Sequence, residues 1–187
     1  VVTETILGEL RQDRKWGRNV SPEDIDATFG GVPDEEKETI KSDALTRDDY
    51  FCEQCEKRFS YIEAAYADYF FKRKKTISPE ISYLFWLSVF WRLHMASICI
   101  RLNDADAERI RTILDTYLPN SQKDVAKISL ADHDRPLHYV LLHCEDTRTE
   151  LLGLVGDHST HAPYTIMCGK YIVKLFSSEE NIEKDYP

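Results

Sequence analysis

The chain has no histidine before His94, a single C-x-x-C pair and no glycine-rich phosphate loop. Each absence removes a class of chemistry. Without GxSxG, a P-loop or GxGxxG, the sequence encodes no nucleophile elbow, no triphosphate cradle and no dinucleotide-binding turn. A basic excess is missing too. Lys and Arg number 24 against 33 Asp and Glu, a net charge of −9. An acidic chain offers nucleic acid no general electrostatic surface, so any such contact needs a local basic patch. Cysteine is sparse: five residues, an odd number at irregular spacing, do not form a secreted disulfide framework. A reducing cytoplasmic setting is expected. No signal-peptide pattern and no initiator Met open the sequence. The expectation is a fragment, or a chain lacking its natural beginning. There is no internal repeat and no low-complexity tract.

What is present suits a globular fold. An apolar content of 42% supports a sizeable core, and 187 residues suit one domain or a small one fused to a larger. The longest apolar run, residues 81–100, approaches the length of a bilayer span. Arg92 and His94 lie inside it, with Ser82, Ser88 and Ser97 scattered along it. A charged Arg near mid-span is costly in lipid, so the run reads as a buried helix and no membrane partner is expected.

The first fifty residues are polar and broken. A helix is expected over residues 1–16 and another after Ser21-Pro22, stopped by Gly30-Gly31. Residues 34–49 read as a charged loop or an exposed short helix. Over residues 56–75, Phe59, Ile62, Ala65, Tyr66, Tyr69 and Phe70 recur at three and four, giving an amphipathic helix. Ser78-Pro79-Glu80 opens a second helix, expected to reach about Leu102 and to form the core because it is apolar all round. A third helix is expected over residues 104–118, ended by Pro119, and a short fourth over 121–128. Strands are expected at 137–144, 150–155, 164–167 and 171–176, with a tight turn at Cys168-Gly169-Lys170. The fold class is therefore α+β: an irregular and helical N-terminal part, a central helical core and a small C-terminal antiparallel sheet. Residues 1–76 and 77–187 divide it for description, and read together as one continuous globular unit.

The chemistry concentrates at Phe51-Cys52-Glu53-Gln54-Cys55-Glu56. A two-residue gap lets Cys52 and Cys55 turn both sulfurs toward one point, which suits tetrahedral zinc in a structural role. Two thiolates are half of a four-ligand site, and no second C-x-x-C exists. Cys99, Cys144 and Cys168 sit in core-like patterns and read as small buried hydrophobes.

The Cys52-Glu53-Gln54-Cys55-Glu56-x-x-Phe59-Ser60-x-x-Glu63 pattern, with Phe90-Trp91-Arg92 downstream, resembles a group of uncharacterised bacterial HNH-endonuclease-like proteins. The likeness covers residues 50–176. It implies a treble-clef zinc knuckle held by Cys52 and Cys55, with Glu56 at the position where a catalytic metal is bound. Glu suits a hard ion such as Mg²⁺ better than zinc. The implied activity is metal-dependent phosphodiester hydrolysis of nucleic acid. The sequence departs from that pattern in three respects. Residues 1–51 contain neither a His nor a first C-x-x-C, and Asp48 and Asp49 stand where an Asn is expected. The catalytic half either precedes Val1 or has been lost, and this chain alone is not expected to cleave DNA, because no group activates water.

Two further clusters have competing readings. Lys57, Arg58, Lys72, Arg73, Lys74 and Lys75, interleaved with aromatics, form the one candidate nucleic-acid patch. Pairing with the negative end of their own helix accounts for the last four without a ligand, and is favoured. Arg92 on the apolar helix must be paired, and Glu63 is the expected partner. His133, His138 and His143 with Asp132 and Asp134 resemble a metal-ligand set in type, but His138 and His143 fall on opposite faces of a strand. The second functional class is a non-catalytic module that uses its acidic surface to dock a basic protein partner.

Overall fold

A helix with no polar face must be enclosed, and α2 (Pro79–Met95) is such a helix. A computed structural model of the protein describes residues 51–72, 77–97, 100–143, 154–156, 160–168, 171–179 and 182. Within α2 every residue from 82 to 90 is buried. Its start follows from the sequence: Ser78 Oγ accepts the Ile81 N–H at 3.4 Å, Pro79 takes the first position and Glu80 faces the positive end of the dipole. The helix packs between α1 (Glu53–Lys72) and α3 (Asp104–Tyr117). Helices and antiparallel sheet together make an α+β fold. Among the described residues no helix is long and apolar enough to cross a membrane. The helices expected over residues 1–50 lie outside the described residues, as does the expected helical stretch at 73–75.

The expectation that α2 reaches Leu102 is corrected: it stops at Met95. Ala96 and Ser97 turn the chain, with Ser97 at φ 54°, a left-handed conformation that costs a non-glycine residue some strain. The imidazole of His94 then accepts the Leu102 N–H on Nδ1 at 3.2 Å. A side chain of the last helical turn thus clamps the chain that follows, and Ile100 and Leu102 enter the core. Asn103 caps α3 directly afterwards, its Oδ1 accepting the Asp106 N–H at 2.9 Å.

Helix α1 begins at Glu53, three residues before the expected Glu56, because Cys52 acts as its cap. Phe59, Ile62 and Tyr66 form its inner face, and Tyr66 stacks on Phe85 of α2 with ring centres 3.7 Å apart. Glu63 sits on the same side and pairs with Arg92, as expected from the sequence. Arg92 is further held by Ser88, through its backbone oxygen to Nε and its hydroxyl to Nη2, each at 3.2 Å. Its guanidinium carbon lies 5.0 Å from the Phe59 ring centre.

The expected fourth helix narrows to a 3-10 turn at Val125–Lys127, and a second such turn follows at Asp132–Asp134. The strands are β1 (His138–His143), β2 (Leu154–Gly156), β3 (Tyr164–Cys168) and β4 (Tyr171–Phe176), in the order β1-β4-β3-β2 and all antiparallel. The Cys168↔Tyr171 pairing leaves two residues between β3 and β4, as the tight turn requires, although residues 169 and 170 lie outside the described residues. Tyr164, Ile166, Val173 and Leu175 face the helices and join Phe59, Ile62, Leu84, Phe90, Ile110 and Leu114 in one hydrophobic cluster.

A buried carboxylate locks helices to sheet. Asp106 is 1% exposed. It accepts from Asn103 Nδ2 at 2.9 Å, Tyr164 Oη at 3.0 Å and Ser177 Oγ at 2.7 Å, and Arg109 reaches its other oxygen at 3.2 Å. Its position in the first turn of α3 adds the helix dipole to those donors.

Two outcomes test these contacts. Glu63→Ala leaves the Arg92 guanidinium buried without its partner and is expected to cost about 3 kcal/mol in urea unfolding. Glu63→Leu with Arg92→Met is expected to recover most of that loss; a cost below about 1 kcal/mol for Glu63→Ala would mean the pair is effectively solvated. The second concerns acid. Burial, and next the charge of Arg101, hold His94 below its ordinary value of 6.5; the neutral ring is also the form that accepts from Leu102. The unfolded chain therefore binds the proton more readily, and this contribution to stability is full above pH 6.5 and lost as pH falls below it. His94→Asn, which keeps an acceptor and removes the titration, is expected to flatten that part of the stability profile in urea melts taken across the range.

Candidate functional site

The head of α1 is where the sequence placed its chemistry, and the local structure follows from a thiol doing the work of a hydroxyl. Cys52 occupies the N-cap. Its carbonyl accepts the Glu56 N–H at 3.0 Å, and its sulfur accepts the Cys55 N–H at 3.4 Å, the bond a Ser or Asp cap makes. Phe51 precedes the cap and packs edge-on against Phe59, ring centres 5.3 Å apart, which fixes the entry of the chain. Cys55 falls within the first helical turn, so its sulfur and that of Cys52 converge at 3.2 Å. Cys52 is exposed, whereas Cys55 is half-buried and packed against the core.

This asymmetry separates the two thiols. The Cys55 backbone N–H, and next the Cys55 thiol, hold Cys52 below the ordinary thiol range. The Cys55 thiol is pushed up, first by its hydrogen bond to Cys52 and then by burial. The first negative charge of the pair therefore settles on the exposed sulfur.

The two thiols fit half of a zinc site. Tetrahedral zinc with Zn–S bonds of about 2.3 Å separates its sulfurs by about 3.8 Å, a small opening from the geometry here. Among the described residues no group of three or more His, Cys, Asp and Glu side chains is placed to hold a metal ion. Glu56 is exposed on the first turn of α1, one residue after Cys55 and on the same turn as Glu53. The five described histidines belong to other parts of the fold. His94 clamps Leu102, His133 lies on a 3-10 turn 3.5 Å from Asp134, His138 and His143 stand at opposite ends of β1, and His161 precedes β3.

The basic candidates separate into different roles. Lys57 is exposed. Arg58 turns inward to the C-terminus of α3, donating to Leu118 O from Nη2 at 2.6 Å and from Nε at 3.2 Å, and to Asp115 O at 2.9 Å. The last turn of α3 carries no basic residue of its own. Arg58 supplies the missing positive charge from a neighbouring helix. Lys72 ends α1, while Arg73, Lys74 and Lys75 lie outside the described residues. Sequence reasoning missed this use of Arg58, because its acceptors lie about sixty positions downstream. It also missed Asp106, although Asn103-x-x-Asp106 at a helix start resembles a capping box and was a usable signal.

Compared with known proteins, the chain matches no family model, no curated sequence and no solved structure at significance.

Arg58→Ala is expected to destabilise the protein by about 2 kcal/mol, because the Leu118 and Asp115 carbonyls lose a charged donor. Arg58→Lys is expected to restore only part of it, since an ammonium lacks the planar fork that spans Leu118 and Asp115. Urea unfolding of both variants checks this; a loss below about 0.5 kcal/mol for Arg58→Ala would mean the arginine is free to serve elsewhere.

Proposed function

We propose that the head of α1 is the thiolate half of a structural zinc site in an HNH-like protein that acts on nucleic acid. The convergence of Cys52 and Cys55, with sulfurs 3.2 Å apart at a helix N-terminus, is the observation that supports this reading. Zinc there would neutralise the two thiolates and pin the entry of α1. The remaining zinc ligands would come from residues other than those described. Glu56, exposed beside the pair, would contribute a carboxylate to a hard ion such as Mg²⁺ once further ligands and a water-activating base are supplied. Lys57, and Lys72 through Lys75, would contact phosphate; Arg58 is committed to α3.

That commitment favours a second reading. With Arg58 engaged and a net charge of −9, the chain is also suited to dock a basic protein without catalysis.

Elemental mass spectrometry on the protein purified without chelator separates the cases. About one zinc per chain, lost in a Cys52→Ser/Cys55→Ser double variant, is expected. Nuclease assays with Mg²⁺ or Mn²⁺ follow on the longest natural form. Zinc-free wild-type protein would overturn the knuckle; zinc-bound protein that neither binds nor cuts nucleic acid would leave the docking module.

A further inference from the structure

The separation of the Cys52 and Cys55 sulfurs, 3.2 Å, falls between the about 2.0 Å of a disulfide and the about 3.8 Å of two zinc-bound thiolates. Both side chains spring from one turn of one helix, so joining the sulfurs needs only small side-chain rotations. The pair is also graded in depth. Cys52 lies exposed at the cap, where a disulfide in solution can reach it. Cys55 is half-buried against the core, in contact with the Cys52 sulfur. The Cys55 N–H already points at Cys52 Sγ, a donor positioned to stabilise negative charge on the sulfur that attacks.

We propose that the metal-free pair carries out thiol–disulfide exchange with a small or protein-borne disulfide, Cys52 attacking and Cys55 resolving. Cys52 gives up its proton and its thiolate attacks one sulfur of the incoming disulfide. The Cys52–substrate bond forms, the substrate S–S bond breaks, and the departing thiolate takes a proton. Cys55 then gives up its proton and attacks Cys52 Sγ. The internal disulfide forms and the second substrate thiol leaves protonated. Two thiols of the protein are oxidised, one disulfide is reduced to two thiols, and no other oxidant enters. Exposure sets the order, because Cys52 is exposed and Cys55 half-buried, so an external disulfide meets Cys52 more readily. Glu53 and Glu56 flank the cap in the first turn, so a neutral or cationic disulfide is favoured over an anionic one.

This activity does not rest on the zinc reading. Zinc would occupy both thiolates and suppress exchange while bound.

The test uses the full chain, freed of metal with a chelator and fully reduced, then treated with hydroxyethyl disulfide, quenched in acid and mapped by peptide mass spectrometry. Wild-type protein is expected to lose two hydrogens within the Cys52–Cys55 peptide and to carry little probe. Cys55→Ser is expected to trap one probe moiety on Cys52. Cys52→Ser is expected to slow reaction at Cys55 by at least about tenfold. A probe adduct that persists on wild-type Cys52 without an internal disulfide would overturn the proposal, as would labelling of Cys55 in Cys52→Ser as fast as labelling of Cys52 in Cys55→Ser. Zinc content, measured separately, decides the knuckle. Protein that never holds zinc yet closes the disulfide sinks only that reading; protein that holds zinc but stays dithiol after its removal sinks only this one.

Discussion

The enclosure of α2 is the constraint on which the rest of the structure depends. A helix whose residues 82–90 are all buried has no side to give to water, so α1, α3 and the sheet must surround it. That requirement alone would allow the neighbours to slide or rotate, because apolar contact is non-directional. The one buried charge on the helix removes the freedom. Arg92 must find Glu63, which sets the rotation of α1 about its axis and the height at which it crosses α2. A buried ion pair is weak evidence for stability, but a residue that tolerates only one partner is strong evidence for register.

With α1 fixed in this way, its N-terminus is carried to the end of α3. Arg58 closes that contact by donating to the carbonyls that α3 leaves unpaired. The thiol pair stands one turn away on the same helix. The site is thus mounted on a rigid element held at two places, by Glu63 in the middle and Arg58 near the head. Zinc ligation and disulfide exchange both demand such mounting, because both fail when the sulfurs drift apart.

Much of this was legible in the sequence wherever the signal was local. Apolar periodicity identified α1 and α3, the all-apolar run identified the core helix, and Ser78-Pro79-Glu80 marked its start. The pairing of Arg92 followed from the cost of burying a lone charge. The strands at Tyr164 and Tyr171 and the short turn between them followed from alternation and Gly169. The misses have a common cause. The end of α2 at Met95 depends on His94 meeting Leu102, and the role of Arg58 depends on carbonyls of another helix. Periodicity sees neither. The start of α1 was placed late because Cys is a poor cap on average, and only the geometry makes Cys52 one. The thiol pair itself was legible from its spacing; the difference in depth between Cys52 and Cys55, which decides their chemistry, was not.

The strand order carries a consequence for biosynthesis. In β1-β4-β3-β2 the second-last position from one edge belongs to the last strand in the sequence, and β4 bridges β1 to the rest. A ribosome therefore delivers the helices and β1 well before the strand that attaches β1 to the sheet. Until residues 171–176 have emerged, β1 has no neighbour in the sheet and the core lacks Val173, Leu175 and Phe176, leaving apolar surface of the kind that nascent-chain chaperones hold. Of the four described strands, the latest in the sequence is thus the one that ties β1 to the others.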